Sequence, residues 1–360
     1  MSNQNETATL VLTILITTGV IGGGFWWFTA KSDLEINQVF KKSPNNTQQQ
    51  AQSQSPAHWA IPAASETSQT FAQVPNVPTG LFNYGGSTSW APIRQSVDVA
   101  LQTARAGFRL RYVDPIGRPP SSSEGIQMLL DGKLSFAQSS RPLLQQEYSQ
   151  AKQRGFELQQ IPVAIDGLVV AVNPALSISG ITLAQLKSIY TGQVTNWNQV
   201  GGPNLNITPY SRPADSGGTV ELLIKDIMNG ERFGNNVQFV NTTTVGLRKL
   251  AKDPGGIYFA SAPEVVPQCT VKPLPVGRNP NQLVTPYQKP LVPSSQCPAQ
   301  RNLLNIEAFR SGEYPITRNL FVVVKKNGQL EEEVGIAYKN LLLSAQGQEL
   351  VGQIGFVRIR

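Results

Sequence analysis

The stretch Ser211-Arg212-Pro213-Ala214-Asp215-Ser216-Gly217-Gly218-Thr219 runs directly into Val220-Glu221-Leu222-Leu223-Ile224-Lys225. It sets an arginine, hydroxyls and a glycine pair immediately before an apolar-periodic helix. Glycine lets backbone N–H groups approach a ligand closely. A helix start leaves N–H donors unpaired and carries a partial positive charge. Together these features suit a small oxyanion. The planar fork of Arg212 matches two oxygens of a phosphate or sulfate. The same residues also read as a surface turn with an ordinary helix cap, and the choice between the two turns on what lies upstream.

Two similar stretches lie upstream. Gly85-Gly86-Ser87-Thr88-Ser89-Trp90-Ala91-Pro92-Ile93 follows the strand-like run Leu81-Phe82-Asn83-Tyr84 and opens a helical pattern through Ile93, Val97, Ala100 and Leu101. Pro119-Pro120-Ser121-Ser122-Ser123-Glu124-Gly125 is followed by Ile126, Met128, Leu129 and Leu130. Each alone is a weak signal, because Ser and Gly occur in turns for local reasons. Three such turns, each opening a helix, can converge on one anion.

The rest of the chain supplies the frame. Strands are expected over 110–113, 157–163, 167–172, 207–210, 257–260, 271–275 and 320–325. Helices are expected over 93–106, 123–131, 143–154, 182–191, 219–228, 243–253, 306–312, 331–343 and 344–354. The alternation implies an α/β sheet with crossovers. In such sheets ligands sit beyond strand ends at helix starts, where all three turns fall.

Composition narrows the function. The 360 residues allow two lobes and an accessory segment. The net charge of +7 suits an anionic ligand or surface. Lys and Arg do not gather in runs, so nucleic-acid binding is not expected. The only histidine, His58, lies in a polar linker and cannot serve a serine nucleophile as base. There is no G-x-S-x-G elbow and no Walker loop. No catalytic residue is therefore assigned and enzyme activity is not expected. Two cysteines with that lone His make no tetrahedral site, so no metal or cofactor is expected.

The N-terminus reads separately. Residues 8–30 carry no charge; about 23 residues make a helix of roughly 34 Å, enough to span a bilayer core. Trp26 and Trp27 suit the membrane interface. No Lys or Arg precedes the run and Phe28 stands where a cleavage site wants a small residue, so residues 1–30 are expected to be a retained transmembrane anchor. Residues 31–77, with NNTQQQAQSQSP at their centre, have the composition of a disordered linker. Lys31, Lys41 and Lys42 would by themselves draw the domain to the cytoplasmic side. Cys269 and Cys297 argue for the outer side, since a bridge across about 28 residues would contribute about 3 kcal/mol and fits an oxidising compartment.

From about Thr79 to the C-terminus the chain resembles the phosphate-binding proteins of high-affinity phosphate ABC transporters. The resemblance is carried by GGSTSWAPI, SSSEGIQMLLDGKLSFAQSSRPL, ITLAQLKSIYTGQVTNWNQVGG, SRPADSGGT, PGGIYFA and LLLSAQGQELVGQIGFV. It implies an α/β, two-lobed type II periplasmic-binding-protein fold over 78–360, preceded by the transmembrane helix and the linker. One lobe would hold about 78–164 and 263–360, the other about 165–262. It implies phosphate bound between the lobes, without catalysis. Ser87 and Thr88 match the first anion loop, and Ser122 the second helix start. Arg212, Asp215, Gly218 and Thr219 match the family's arginine, the aspartate that steadies it, and the end of its Ser-Gly-Thr cap. Many members carry an aspartate where Ser140 stands, an acceptor for the proton of hydrogen phosphate; with Ser140 in its place, discrimination against sulfate stays open. Asp-Ser-Gly-Gly-Thr replaces the usual Asp-Gly-Ser-Gly-Thr, so either Ser216 or Gly217 faces the ligand. The resemblance implies that the partners are an ABC transporter's membrane subunits, or a sensor, at the outer face of the plasma membrane. The competing expectation is a membrane-tethered interaction or signalling module with weak or no anion binding.

Overall fold

The computed structural model describes residues 68–360. The expected anchor at 1–30 and the linker up to residue 67 lie outside the described residues. Among the described residues, no helix is long and apolar enough to cross a membrane.

The strands, in chain order, are β1 Gly80–Gly86, β2 Phe108–Tyr112, β3 Phe136–Ser139, β4 Glu157–Val172, β5 Ile181–Thr182, β6 Thr208–Ser211, β7 Gln238–Phe239, β8 Gly256–Ser261, β9 Lys272–Pro273, β10 Val276–Gly277, β11 Leu283–Val284 and β12 Thr317–Lys326. The large sheet runs β2-β1-β3-β12-β4-β8-β6-β7, with β9 added beside β4. β5, β10 and β11 form a small second sheet. β1 is parallel to β2 and β3, the geometry that crossover helices impose. The expected strands at 157–163 and 167–172 are one continuous 16-residue strand, β4.

β4 belongs to both lobes. Its first half pairs with β12 and its second half, from Leu168, with β8. The pairing slips by one residue where Leu320 faces Ala164 and Phe321 faces Pro162, a bulge that lets the shared strand bend between the lobes. The C-terminal segment crosses at the same level, where Val357 pairs with Ile165.

Each lobe has its own core. In the first, the run Val322-Val323-Val324 of β12 is buried on both sheet faces. Val322 and Val324 join Phe82, Tyr84, Val97 and Leu341 on one face; Val323 joins Ile126, Leu129 and Leu134 on the other. Strands covered on both faces read as continuous β-branched runs rather than alternating ones. In the helix Ala91–Ala104, Ile93, Val97 and Leu101 recur every four residues and are buried, as a 3.6-residue period requires. The second lobe gathers Leu168 to Val172, Trp197, Val220, Leu223 and Phe259.

Two boundaries differ from the sequence reading. Residues 68–77 pack on the first lobe: Phe71 and Val74 are buried, and Arg105 donates to the carbonyls of Phe71, Ala72 and Val74. Their polar neighbours masked two apolar anchors. The segment 263–316, given to the first lobe from sequence, contributes Val265, Leu274, Val276, Phe309, Tyr314 and Ile316 to the second core, and the chain returns only at β12. Its strands are two residues long, too short to show a period. Within it Cys269 and Cys297 are bridged as expected, with Cα atoms 5.6 Å apart.

Candidate functional site

Two of the sequence-selected turns meet at the end of β1, beside Ser140 at the end of β3. Gly86 and Gly125 make the meeting possible: a Cβ on Gly125 would lie 2.4 Å from the Gly86 Cα, and one on Gly86 only 2.1 Å from the Gln138 carbonyl. With side chains removed, the helix Ser122–Leu130 can close on both strand ends. Three buried hydroxyls then converge. Ser87 Oγ donates to Ser140 Oγ at 2.8 Å, and Ser122 Oγ lies 3.2 Å from Ser140 Oγ while accepting from the Ser140 N–H at 3.0 Å. Ser121 caps the helix by accepting from Glu124 N–H.

This cluster is held from behind. The Ser87 N–H donates to the Gln138 carbonyl, and the buried Trp90 indole N–H donates to Ser139 carbonyl at 3.0 Å. Arg94 donates to the Ser87 carbonyl and to Gln138 Oε1, with its guanidinium 4.1 Å over the Tyr112 ring. Gln138 donates in turn to Tyr338, which donates to the buried Asp98, as does Tyr84. Burial pushes the Asp98 carboxyl up to about 6, against the opposing hydrogen bonds from the two tyrosines and the charge of Arg94.

The second lobe contributes the Arg212–Thr219 turn. Gly217 and Gly218 both take left-handed φ, 63° and 58°, which only glycine adopts without strain. Both also face the other lobe at close range. A Cβ on Gly218 would lie 2.8 Å from Thr88 Oγ1 and 3.1 Å from Ser89 Oγ; one on Gly217 would meet the Pro120 carbonyl at 3.2 Å. The expected helix at 219–228 begins as Gly218–Leu222 and continues as a π-helical turn over Leu223–Ile227. Arg212 is half-buried, and its Nη2 donates to Thr219 Oγ1 at 3.5 Å.

Across the lobes, Gly218 thus faces Thr88 and Ser89, and Gly217 faces Pro120 and Ser121. Asp215 does not join them. It is exposed and, among the described residues, forms no ion pair with Arg212. The turn Pro213–Ser216, closed by Ser216 N–H to the Pro213 carbonyl, carries it outward. The carboxylate near the arginine is Glu264 instead; burial raises it, against a hydrogen bond with Thr243 and the charge of Arg212, with Asp166 adding to the rise.

Sequence reading passed over Ser89, Asp166, Ser261, Glu264 and Arg318. Arg318 forms a buried ion pair with Asp166, Nη2 to Oδ2 at 2.7 Å, and Ser261 donates to the same carboxylate. Only the opposite charges of Asp166 and Arg318 inside apolar strand runs hinted at the pair, since side chains of this kind are buried only when partnered.

This arrangement has relatives. A family model described as a PBP superfamily domain matches residues 49–346. The phosphate-binding protein PstS of Borreliella burgdorferi is 27% identical over 288 residues, covering 78% of this chain and 90% of that protein. Protein SphX of Synechococcus elongatus is 26% identical over 306 residues, covering 82% of this chain and 83% of that one. The crystal structure of an ABC-type phosphate transport receptor from Vibrio cholerae has the same fold, with a TM-score of 0.60 at 20% identity over 77% of this chain and 99% of that chain. With two lobes joined by β4 and β12, and with the family model spanning most of its length, this chain belongs to the PBP superfamily.

Proposed function

We propose that this protein binds inorganic phosphate between its two lobes and serves as the substrate-binding component of phosphate uptake. One observation carries the reading: the hydroxyls of Ser87, Ser122 and Ser140 converge in the first lobe, and the Gly217-Gly218 turn of the second, which follows Arg212, closes on Thr88, Ser89 and Ser121 beside them. An oxyanion there would be met by hydroxyl and backbone donors from one side and a guanidinium from the other. Relatives named for phosphate binding and phosphate transport support the identity of the anion. Binding without catalysis is part of the same proposal, supported by relatives named for phosphate binding and transport. The N-terminal anchor, delivery to an ABC transporter's membrane subunits and a position on the outer face of the plasma membrane belong to the same proposal. The bridged Cys269 and Cys297 support that side of the membrane.

Ser140 shapes the expected selectivity. A carboxylate only accepts, whereas a hydroxyl both accepts and donates. The Ser87–Ser122–Ser140 cluster can take the proton of hydrogen phosphate yet can also turn its hydrogens toward fully ionised sulfate. Sulfate should therefore compete measurably. The test is calorimetric titration of ligand-stripped full chain in mild detergent with phosphate, then with sulfate as competitor. Saturable phosphate binding supports the proposal. No heat with either anion would instead favour a tethered interaction module.

A further inference from the structure

We infer that Arg318 is a closure latch, a positioning residue that ties the anion loops of both lobes to the hinge. The inference rests on the phosphate reading above. Arg318 is the second residue of β12 and lies opposite Asp166 of β4, where both strands pass between the lobes. Its Nε and Nη2 both donate to Asp166 Oδ2, at 3.1 and 2.7 Å. The other Asp166 oxygen accepts from Ser261. From that anchored position Nη1 donates to the Gly218 carbonyl at 2.8 Å, and Nη2 donates to Ser89 Oγ at 2.7 Å.

Gly218 belongs to the second lobe's anion turn and Ser89 to the first lobe's. One buried guanidinium therefore grips both. Four of its five N–H donors are committed to carboxylate, carbonyl and hydroxyl, so most of its bonding capacity holds the loops. Arginine suits this task, because a planar fork serves several acceptors at once and stays charged when buried. Separating the lobes moves Ser89 away from Gly218 and must break at least one of these bonds. Asp166 keeps the guanidinium at the hinge, so the bonds that yield are those to the loops. Arg318 thereby favours the closed arrangement before the anion arrives, and less of the binding free energy goes into reorganisation.

The experiment measures the full chain twice, by phosphate titration and by the distance between two spin labels, one on each lobe, without and with phosphate. Arg318→Lys keeps a cation beside Asp166 but cannot reach both loops. The double variant Arg318→Met with Asp166→Leu removes the pair without leaving either charge alone in the interior. Both should weaken phosphate binding about tenfold or more and lengthen the interlobe distance in the phosphate-free protein, and saturating phosphate should restore the closed distance. Ser89→Ala, which burdens folding with no buried charge, cuts one arm alone and should give a smaller change in the same direction.

Wild-type affinity with a wild-type phosphate-free distance in these variants overturns the inference. So does weakened binding with an unchanged distance, which would make Arg318 a partner of the anion instead. Arg212→Ala separates this from the site assignment: it should lose phosphate while keeping the wild-type phosphate-free distance. If Arg212→Ala bound phosphate normally, the site reading would fall, and the distances of the Arg318 variants would still decide the latch.

Discussion

The two sides of the site are built differently. The first lobe presents buried hydroxyls already bonded to one another and backed by Trp90, Arg94 and Gln138. The second presents a charge on a half-buried arm with a single long bond to Thr219, on a turn whose tip is exposed. One side is set before any ligand arrives; the other is left able to adjust. A two-sided anion site gains from this division, because the bonded hydroxyls fix the geometry and the less constrained guanidinium supplies the attraction.

The comparison can be broken most directly at the arginine. Arg212→Ala removes the cation of the adjustable side, and phosphate affinity should fall on the order of a hundredfold, as expected when a charge-assisted bond is lost. Retention within a few-fold by calorimetry would mean that the hydroxyl side binds alone. Gly218→Ala comes next. It demands a left-handed φ of an L residue and places a Cβ 2.8 Å from Thr88 Oγ1, so the lobes should be held apart and affinity reduced about tenfold. Wild-type affinity there would show that the turn relaxes freely.

Ser140→Asp sharpens the other half. It puts an obligate acceptor among the hydroxyls, so sulfate competition should fall about tenfold relative to phosphate, read by competitive titration. An unchanged ratio would place selectivity elsewhere.

The smallest effect concerns the buried support behind the hydroxyls. Asp98 holds its proton up to about pH 6 in the folded protein, well above the ordinary carboxylate value of 3.8. Between those values the folded state binds more protons than the unfolded one. The contribution of this group is therefore fully present below the lower value and is lost as pH rises through the upper one. Relative to Asp98→Asn, the wild type should gain thermal stability as pH falls from about 6.5 to about 4. A difference in midpoint that does not vary with pH would show that Asp98 is not the titrating support.

Much of this was legible in the chain. The helix Ala91–Ala104 announced itself by Ile93, Val97 and Leu101, and Leu330–Leu343 by Val334, Ala337, Tyr338 and Leu341. The Gly/Ser turns were visible because glycines and hydroxyls cluster at helix starts. β3 was missed: Phe136 to Ser139 are all buried, and four residues show neither alternation nor period. Asp215 entered the site from resemblance alone; in the structure it is exposed on the local turn.

By itself the sequence determined the α/β alternation, the three turns able to approach an anion, and the Arg212 charge beside them, because each follows from local rules of period, capping and glycine geometry. Only the tertiary structure decided that Ser87, Ser122 and Ser140 touch, that 263–316 completes the second core, and that Arg318 pairs with Asp166 across 152 positions of chain. Those contacts join residues distant in sequence, and they are set by how strands register and lobes close, which no local pattern encodes.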